Sequence, residues 1–273
     1  MIFKRVFFSL FIGFGSILLF LAIFFSTATA SPQITTTIQP SLEDVQPNQT
    51  LVTAAITTVM ITADKDAFII SGPAADNNAG AETAVTAGQV GSSGVNTIRR
   101  GLIAFDIAGT IPAGSVILTA TFDLDVVKSP SVGAVNSNFA LHQVTTEWLE
   151  GTKSGTSGNP ATAGEVTWNS AKHLTTTWTT AGGDFVVMPS GDTAVTGNGT
   201  YTWNSTPGMV ANVQSWLDSP STNYGWLLKS DNEATAQTAR RFGSKEGSAP
   251  ATLTVQYFLP LHRVYLPIIL SGD

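Results

Sequence analysis

Six tryptophans are the conspicuous chemical groups of this chain: Trp148, Trp168, Trp178, Trp203, Trp216 and Trp226. An exposed indole stacks on the apolar face of a sugar ring while polar neighbours meet the hydroxyls. Trp148, Trp168 and Trp178 are the candidates for that role, with core packing as the competing reading; Trp216 and Trp226 are assigned to packing first. Among the cations, Arg100, Lys229 and Arg241 are suited to the carboxylates of an acidic glycan, or else to internal partners such as Asp106 and Glu246. Oxygen ligands gather at Asp64, Asp66, Asn77 and Asn78, and again at Asp231 and Glu233. Calcium is the cofactor such a set would take, although the spacing is not that of an EF-hand.

Catalytic signals are weaker. Glu147 and Glu150 form a carboxylate pair, but two residues close in sequence do not make the opposed geometry of glycoside hydrolysis. The three histidines, His142, His173 and His262, lack transition-metal spacing, and the chain has no HExxH, Walker loop, dinucleotide fingerprint or G-x-S-x-G. The reading is therefore noncatalytic.

Elements that hold such groups in place must be built from a chain of 273 residues with no cysteine, 13 basic and 19 acidic side chains. Low charge and abundant Thr, Ser, Gly and Ala argue against a large helical protein, whereas Thr suits the wet face of a strand. Residues 1–30 carry two of the cations, Lys4 and Arg5, so without them the balance is 11 against 19, about −8. That excludes a nucleic-acid partner, whose backbone rewards a basic surface.

The clearest strands are Arg99 to Ile107 and Ser115 to Val127, separated by a Gly and Pro turn at residues 108–114. Ile103, Phe105 and Ile107 fall on one side of the first. Val116, Leu118, Ala120, Phe122, Leu124 and Val126 alternate with mostly polar residues in the second. Read as neighbours sharing an apolar face, the pair needs a covering layer from elsewhere in the chain. Further strands are expected near 59–63, 66–70, 82–87, 139–144, 199–203, 224–230, 240–244 and 251–257. The stretch from Gly151 to Gly164 is too polar to bury. One helix is expected: Thr206 caps it, Pro207 suits its first position, Val210, Val213 and Leu217 recur at helical spacing with Trp216 beside them, and Asp218-Ser219-Pro220 ends it. It would cover one end of a sandwich.

The ends are of another kind. Residues 1–30 combine Lys4 and Arg5, an apolar run from Val6 to Phe25, and Ala28-Thr29-Ala30, which reads as a signal peptide or, uncleaved, a membrane anchor with the remainder outside. Residues 31–56 read as a linker, residues 57–257 as one β-sandwich domain, and residues 258–273 as an apolar tail broken by Pro260 and Pro267.

Several short motifs in order resemble the DNRLRE-domain family, which is related to the carbohydrate-binding modules of the alginate-binding group. They are Asp66-Ala67-Phe68-Ile69, the Asn78 to Gly80 turn, Arg99 to Ile107, Trp148-Leu149-Glu150, Val166-Thr167-Trp168-Asn169, Val213 to Leu217, Asn223 to Lys229, Arg241 to Glu246 and Pro250 to Tyr257. The resemblance implies an all-β, jelly-roll-like β-sandwich with Arg100, Lys229 and Arg241 in one body. It also implies contact with extracellular polysaccharide in some relatives. The functional expectation is a secreted or cell-surface, noncatalytic module that binds a cell-surface or matrix polysaccharide, acidic glycans among the candidates. The alternative is a structural or adhesion module with a surface-protein partner. Membrane contact is expected only through the N-terminal segment.

Overall fold

The computed structural model describes residues 54–91 and 97–260, all within the unit Leu51–Asp273. The expected signal or anchor, most of the linker and most of the apolar tail lie outside the described residues.

In chain order the elements are β1 (Ile56–Thr62), β2 (Lys65–Ile70), β3 (Asn77–Asn78), β4 (Ala84–Val90), β5 (Thr97–Ala104), β6 (Val116–Lys128), β7 (Ser137–Gln143) and β8 (Asn159–Pro160). There follow β9 (Ser170–Lys172), β10 (Thr176–Thr177), β11 (Gly191–Val195), β12 (Gly199–Trp203), α1 (Pro207–Asp218), β13 (Trp226–Ser230), β14 (Arg240–Gly243) and β15 (Thr252–Phe258). The protein is an all-β sandwich with one short helix. In one layer β1 pairs with β15, β15 with β6, and β6 also with β12 and β14. In the other, β5 lies between β2 and β13, and β7 and β11 continue the layer. β4 turns the corner between them: Ala84 to Ala87 pair with β14, and Gly88 to Val90 pair with β5. The corner falls at Gly88, whose φ is 103° and where a Cβ would lie 2.7 Å from the Ala239 backbone. Only glycine fits both demands.

The core lies between the layers. Phe105 of the segment after β5 meets Phe122 of β6 edge to face at 5.9 Å, Phe122 meets Trp203 at 5.2 Å, and Trp216 of α1 meets Trp226 at 4.6 Å. β5 and β6 are therefore not neighbours with a common face. They stand in opposite layers and cover one another, because β5 finds its partners in β2, β4 and β13. The alternation of β6 holds from Ala120 to Val126 and then breaks: Ile117 is buried while Val116 and Leu118 are each 38 % exposed. An irregularity in the β15 pairing, where Tyr257 faces Ile117 but Gln256 faces Thr119, shifts the phase by one residue. α1 follows expectation. The Thr206 hydroxyl accepts from Met209 N, Pro207 opens the first turn, and Met209, Val213, Trp216 and Leu217 are buried in the core.

A second core lies on the other face of the β2–β5–β13 layer. Ala67, Ile69, Leu102, Ala104 and Leu227 are covered by Val144, Trp148, Val166, Ala171 and Trp178, with Trp168 and Phe185 packed against them. Residues 151–164 stay at the surface, as their polarity predicts; the apolar side chains on either side of them form the cover.

Candidate functional site

The second core decides the fate of the expected sugar platform. Trp148 is wholly buried, donates from Nε1 to Tyr224 O at 2.8 Å, and has Lys65 Nζ 4.2 Å from its ring centre. Trp178 is buried and donates to Thr167 O at 2.9 Å. Neither has an open face for a sugar, because the strands beneath them, Leu102 and Ala104 included, are apolar on this side and need covering. Trp168 is half-buried, and the Arg100 guanidinium lies 4.9 Å from its ring centre.

The three expected cations are held by internal carboxylates, though not by Asp106 or Glu246. Arg100 grips Glu233 with Nε and Nη2, both at 2.8 Å, and gives Nη1 to Gly182 O at 2.8 Å. Lys229 Nζ lies 3.6 Å from the same carboxylate. Arg241 Nη2 is 2.6 Å from Glu82 Oε1. Asp106 accepts instead from Gly109 N in its own turn, and Glu246 meets Lys245. Of the expected second oxygen cluster, Glu233 is thus the anchor of a cation clamp, while Asp231 accepts from Ser137 Oγ at 2.6 Å.

The expected calcium set does not come together as one group of free oxygens. Asn78 is buried and spends its whole hydrogen-bonding capacity on the chain around it: Nδ2 donates to Glu150 O and Val166 O, and Oδ1 accepts from Gly80 N and Lys153 N. Asn77 donates to Ser157 O, and Asp64 is exposed. Asp66 meets two different carboxylates, Glu150 and Glu246, with one oxygen of each of the three within 4.8 Å of the others. An ammonium already sits with them: Lys245 Nζ is 3.0 Å from Glu150 and 3.1 Å from Glu246, and Lys245 N donates to Asp66 Oδ2 at 2.7 Å. Burial, then the neighbouring charges of Glu246 and Glu150, pushes the Asp66 carboxyl up to about 7.

Glu147 and Glu150 face different partners. Glu147 bonds Lys172 Nζ at 2.5 Å, which holds it below the usual carboxylate range, whereas Glu150 accepts from Asp66 N and Lys245. His142 is buried with Nδ1 3.0 Å from Val186 O, and burial pushes its pKa down. His262 lies outside the described residues.

One concave surface lies at the end of β7, β11 and β13. A groove of about 500 Å³ is lined by Asn136, Asn138, Ala194, Thr196, Asp231 and Asn232, among others. The pairing of Asn138 with Ala194 sets its wall, and Asp231 N bonds Asn138 O at 3.0 Å to bring the β13 loop alongside. Arg240, fully buried, is bonded to two of the groove's lining residues, Thr196 and Asn136. Its Nε donates to Thr196 O at 2.7 Å, its Nη1 to the carbonyls of Gln237, Thr238 and Ala239, and its Nη2 to Val135 O and Asn136 Oδ1. One guanidinium thus ties together the three loops that form the groove, with its charge met by carbonyl dipoles and by no carboxylate among the described residues. Burial lowers its pKa.

Several groove atoms make no hydrogen bond to a described residue: both ends of the Asn138 amide, Nδ2 of Asn136 and Asn232, and Oδ2 of Asp231. Planar amide and carboxylate groups of this kind are able to meet sugar hydroxyls. Of these residues sequence reasoning selected Asp231 alone, and as a cation ligand beside Glu233. Asn136-Ser137-Asn138 reads locally as a turn before a strand, and only the fold brings Thr196 and Asn232 to it.

No protein-family model matches the chain. No curated protein matches it either.

Proposed function

We propose that the protein is a noncatalytic, exported module that binds a cell-surface or matrix polysaccharide in the groove between Asn138, Thr196 and Asn232. The observation that carries this reading is the set of uncommitted amide and carboxylate atoms on the residues lining a groove whose loops Arg240 ties together. Export rests on the leader-like residues 1–30, and the resemblance of residues 57–257 to the DNRLRE-domain family points the same way.

The test is a glycan array probed with the full chain and with Asn138→Ala/Asn232→Ala. The wild type is expected to retain a restricted set of glycans, and the double variant to bind them at least about tenfold more weakly with an unchanged melting temperature. A folded wild type that binds nothing across neutral and uronate-rich panels overturns the reading, as does a double variant that binds equally well. A protein partner is the second reading. It is favoured by the run Val186, Val187 and Met188, whose exposures of 42 %, 83 % and 76 % place three consecutive apolar side chains in water.

A further inference from the structure

Two adjacent arginines of β5 meet opposite fates. Arg100 is clamped on Glu233, whereas Arg99, only 9 % exposed, makes no hydrogen bond or ion pair with any described residue. Its Nε is enclosed without a partner, and its guanidinium lies 5.7 Å from the Phe68 ring centre. Arg240 shows what this fold does with a buried guanidinium that it satisfies internally: six oxygens surround it. Arg99 has none of this.

The register explains why no neighbour serves. Arg99 stands opposite Gly88 on one side and Ile70 on the other, so its flanking residues are a glycine and an aliphatic side chain. Across β4, Arg241 is opposite Thr86, two residues from Gly88, which brings a second cation to the same corner. The nearby carboxylate is already used: Glu82 Oε1 accepts from Arg241 Nη2 and Oε2 accepts from Gly155 N at 2.6 Å. Burial, with the Arg241 charge added, pushes the Arg99 pKa down. A largely enclosed charge with no counter-ion among the described residues is a costly arrangement in a folded chain.

We infer that the β4–β5 corner is an oxyanion site, in which Arg99, with Arg241 beside it, takes a carboxylate or sulfate group from outside the chain. A planar two-oxygen group matches the guanidinium fork. Such a group arrives either as a free ion or on an acidic sugar. The site stands on Arg99 and is independent of the groove.

Calorimetry and thermal melting of the full chain with sodium sulfate and sodium glucuronate test this, with sodium chloride at equal ionic strength as the baseline. The wild type is expected to give saturable heat and a rising melting temperature with one or both anions. Arg99→Met is expected to bind at least about tenfold more weakly while melting no lower than the wild type in chloride, because it removes an uncompensated charge. Binding of sulfate alone marks an inorganic or sulfate-ester ligand; binding of glucuronate marks a uronate. No saturable heat with either anion, or equal binding by the variant, overturns the site. Where Arg99→Met does not fold, Arg99→Lys carries the same test: glucuronate binding weakened about tenfold supports the fork, and wild-type binding overturns it. Asn138→Ala/Asn232→Ala is expected to bind these anions as the wild type does, which separates this site from the groove.

Discussion

At the scale of single residues, the side chains that matter most are those that have no spare valence. Asn78 joins the start of the domain to both sides of the 151–164 stretch through four hydrogen bonds, three of them to residues more than 70 positions away. At about 1 kcal/mol net for each bond, with the penalty of buried groups left unpaired, Asn78→Ala is expected to cost about 3–5 kcal/mol. A shift in the urea midpoint worth less than about 1 kcal/mol would show that the four bonds are replaced by water. A buried asparagine and a metal-binding one look alike in sequence; so do Arg99 and Arg100. Adjacent strand residues point to opposite faces, and what each face meets is decided by segments far along the chain. Trp148 and Trp178 show the same limit, since the indole that binds a sugar and the indole that covers an aliphatic strand have the same local signature.

At the scale of elements, legibility depended on whether the signal was local. α1 was plain because cap, first-turn proline, apolar spacing and stop all lie within the residues 206–220. The existence of β5, β6, β13 and β15 was plain from alternation. The phase of β6 near Val116 was not, because it is set by the irregular pairing with β15. Nor was the assignment of β5 and β6 to opposite layers, since a short connection suits a neighbour or a partner across the core. β4 carries the element that joins the layers, and its bend requires a backbone state closed to side chains. Gly88→Ala is expected to cost about 1–3 kcal/mol from conformation alone, and more from the approach to the Ala239 backbone. Thermal melting reads this directly; a variant within about 0.5 kcal/mol of the wild type would mean that the corner relaxes freely.

For the whole molecule, charge is organised as a set of internal latches, of which Arg100–Glu233, Arg241–Glu82 and Lys245 with Glu150 and Glu246 are the principal ones. The last includes Asp66, and it makes stability depend on pH. Asp66 has an ordinary value of 3.8 and is raised to about 7 when folded, so between these values the folded protein holds a proton that the unfolded chain has lost. Its contribution to stability is therefore greatest below about pH 4, declines as the pH rises to about 7, and is level above. Asp66→Asn keeps an oxygen for Lys245 N and removes the titration. Its melting temperature is expected to match the wild type near pH 4 and to exceed it at pH 8 by roughly 2–4 °C for each kcal/mol released. Parallel melting curves for the two proteins across that range would sink the assignment.

The layer over β2, β5 and β13 has one more effect. β5 sends Ile103 into one core and Leu102 and Ala104 into the other, and both of its edges are paired. From Gly101 to Ile103 the strand is buried on both faces and paired on both edges, so solvent has no flank from which to approach it there: these amides are released only when the body comes apart as a unit, and they set the ceiling of its kinetic protection.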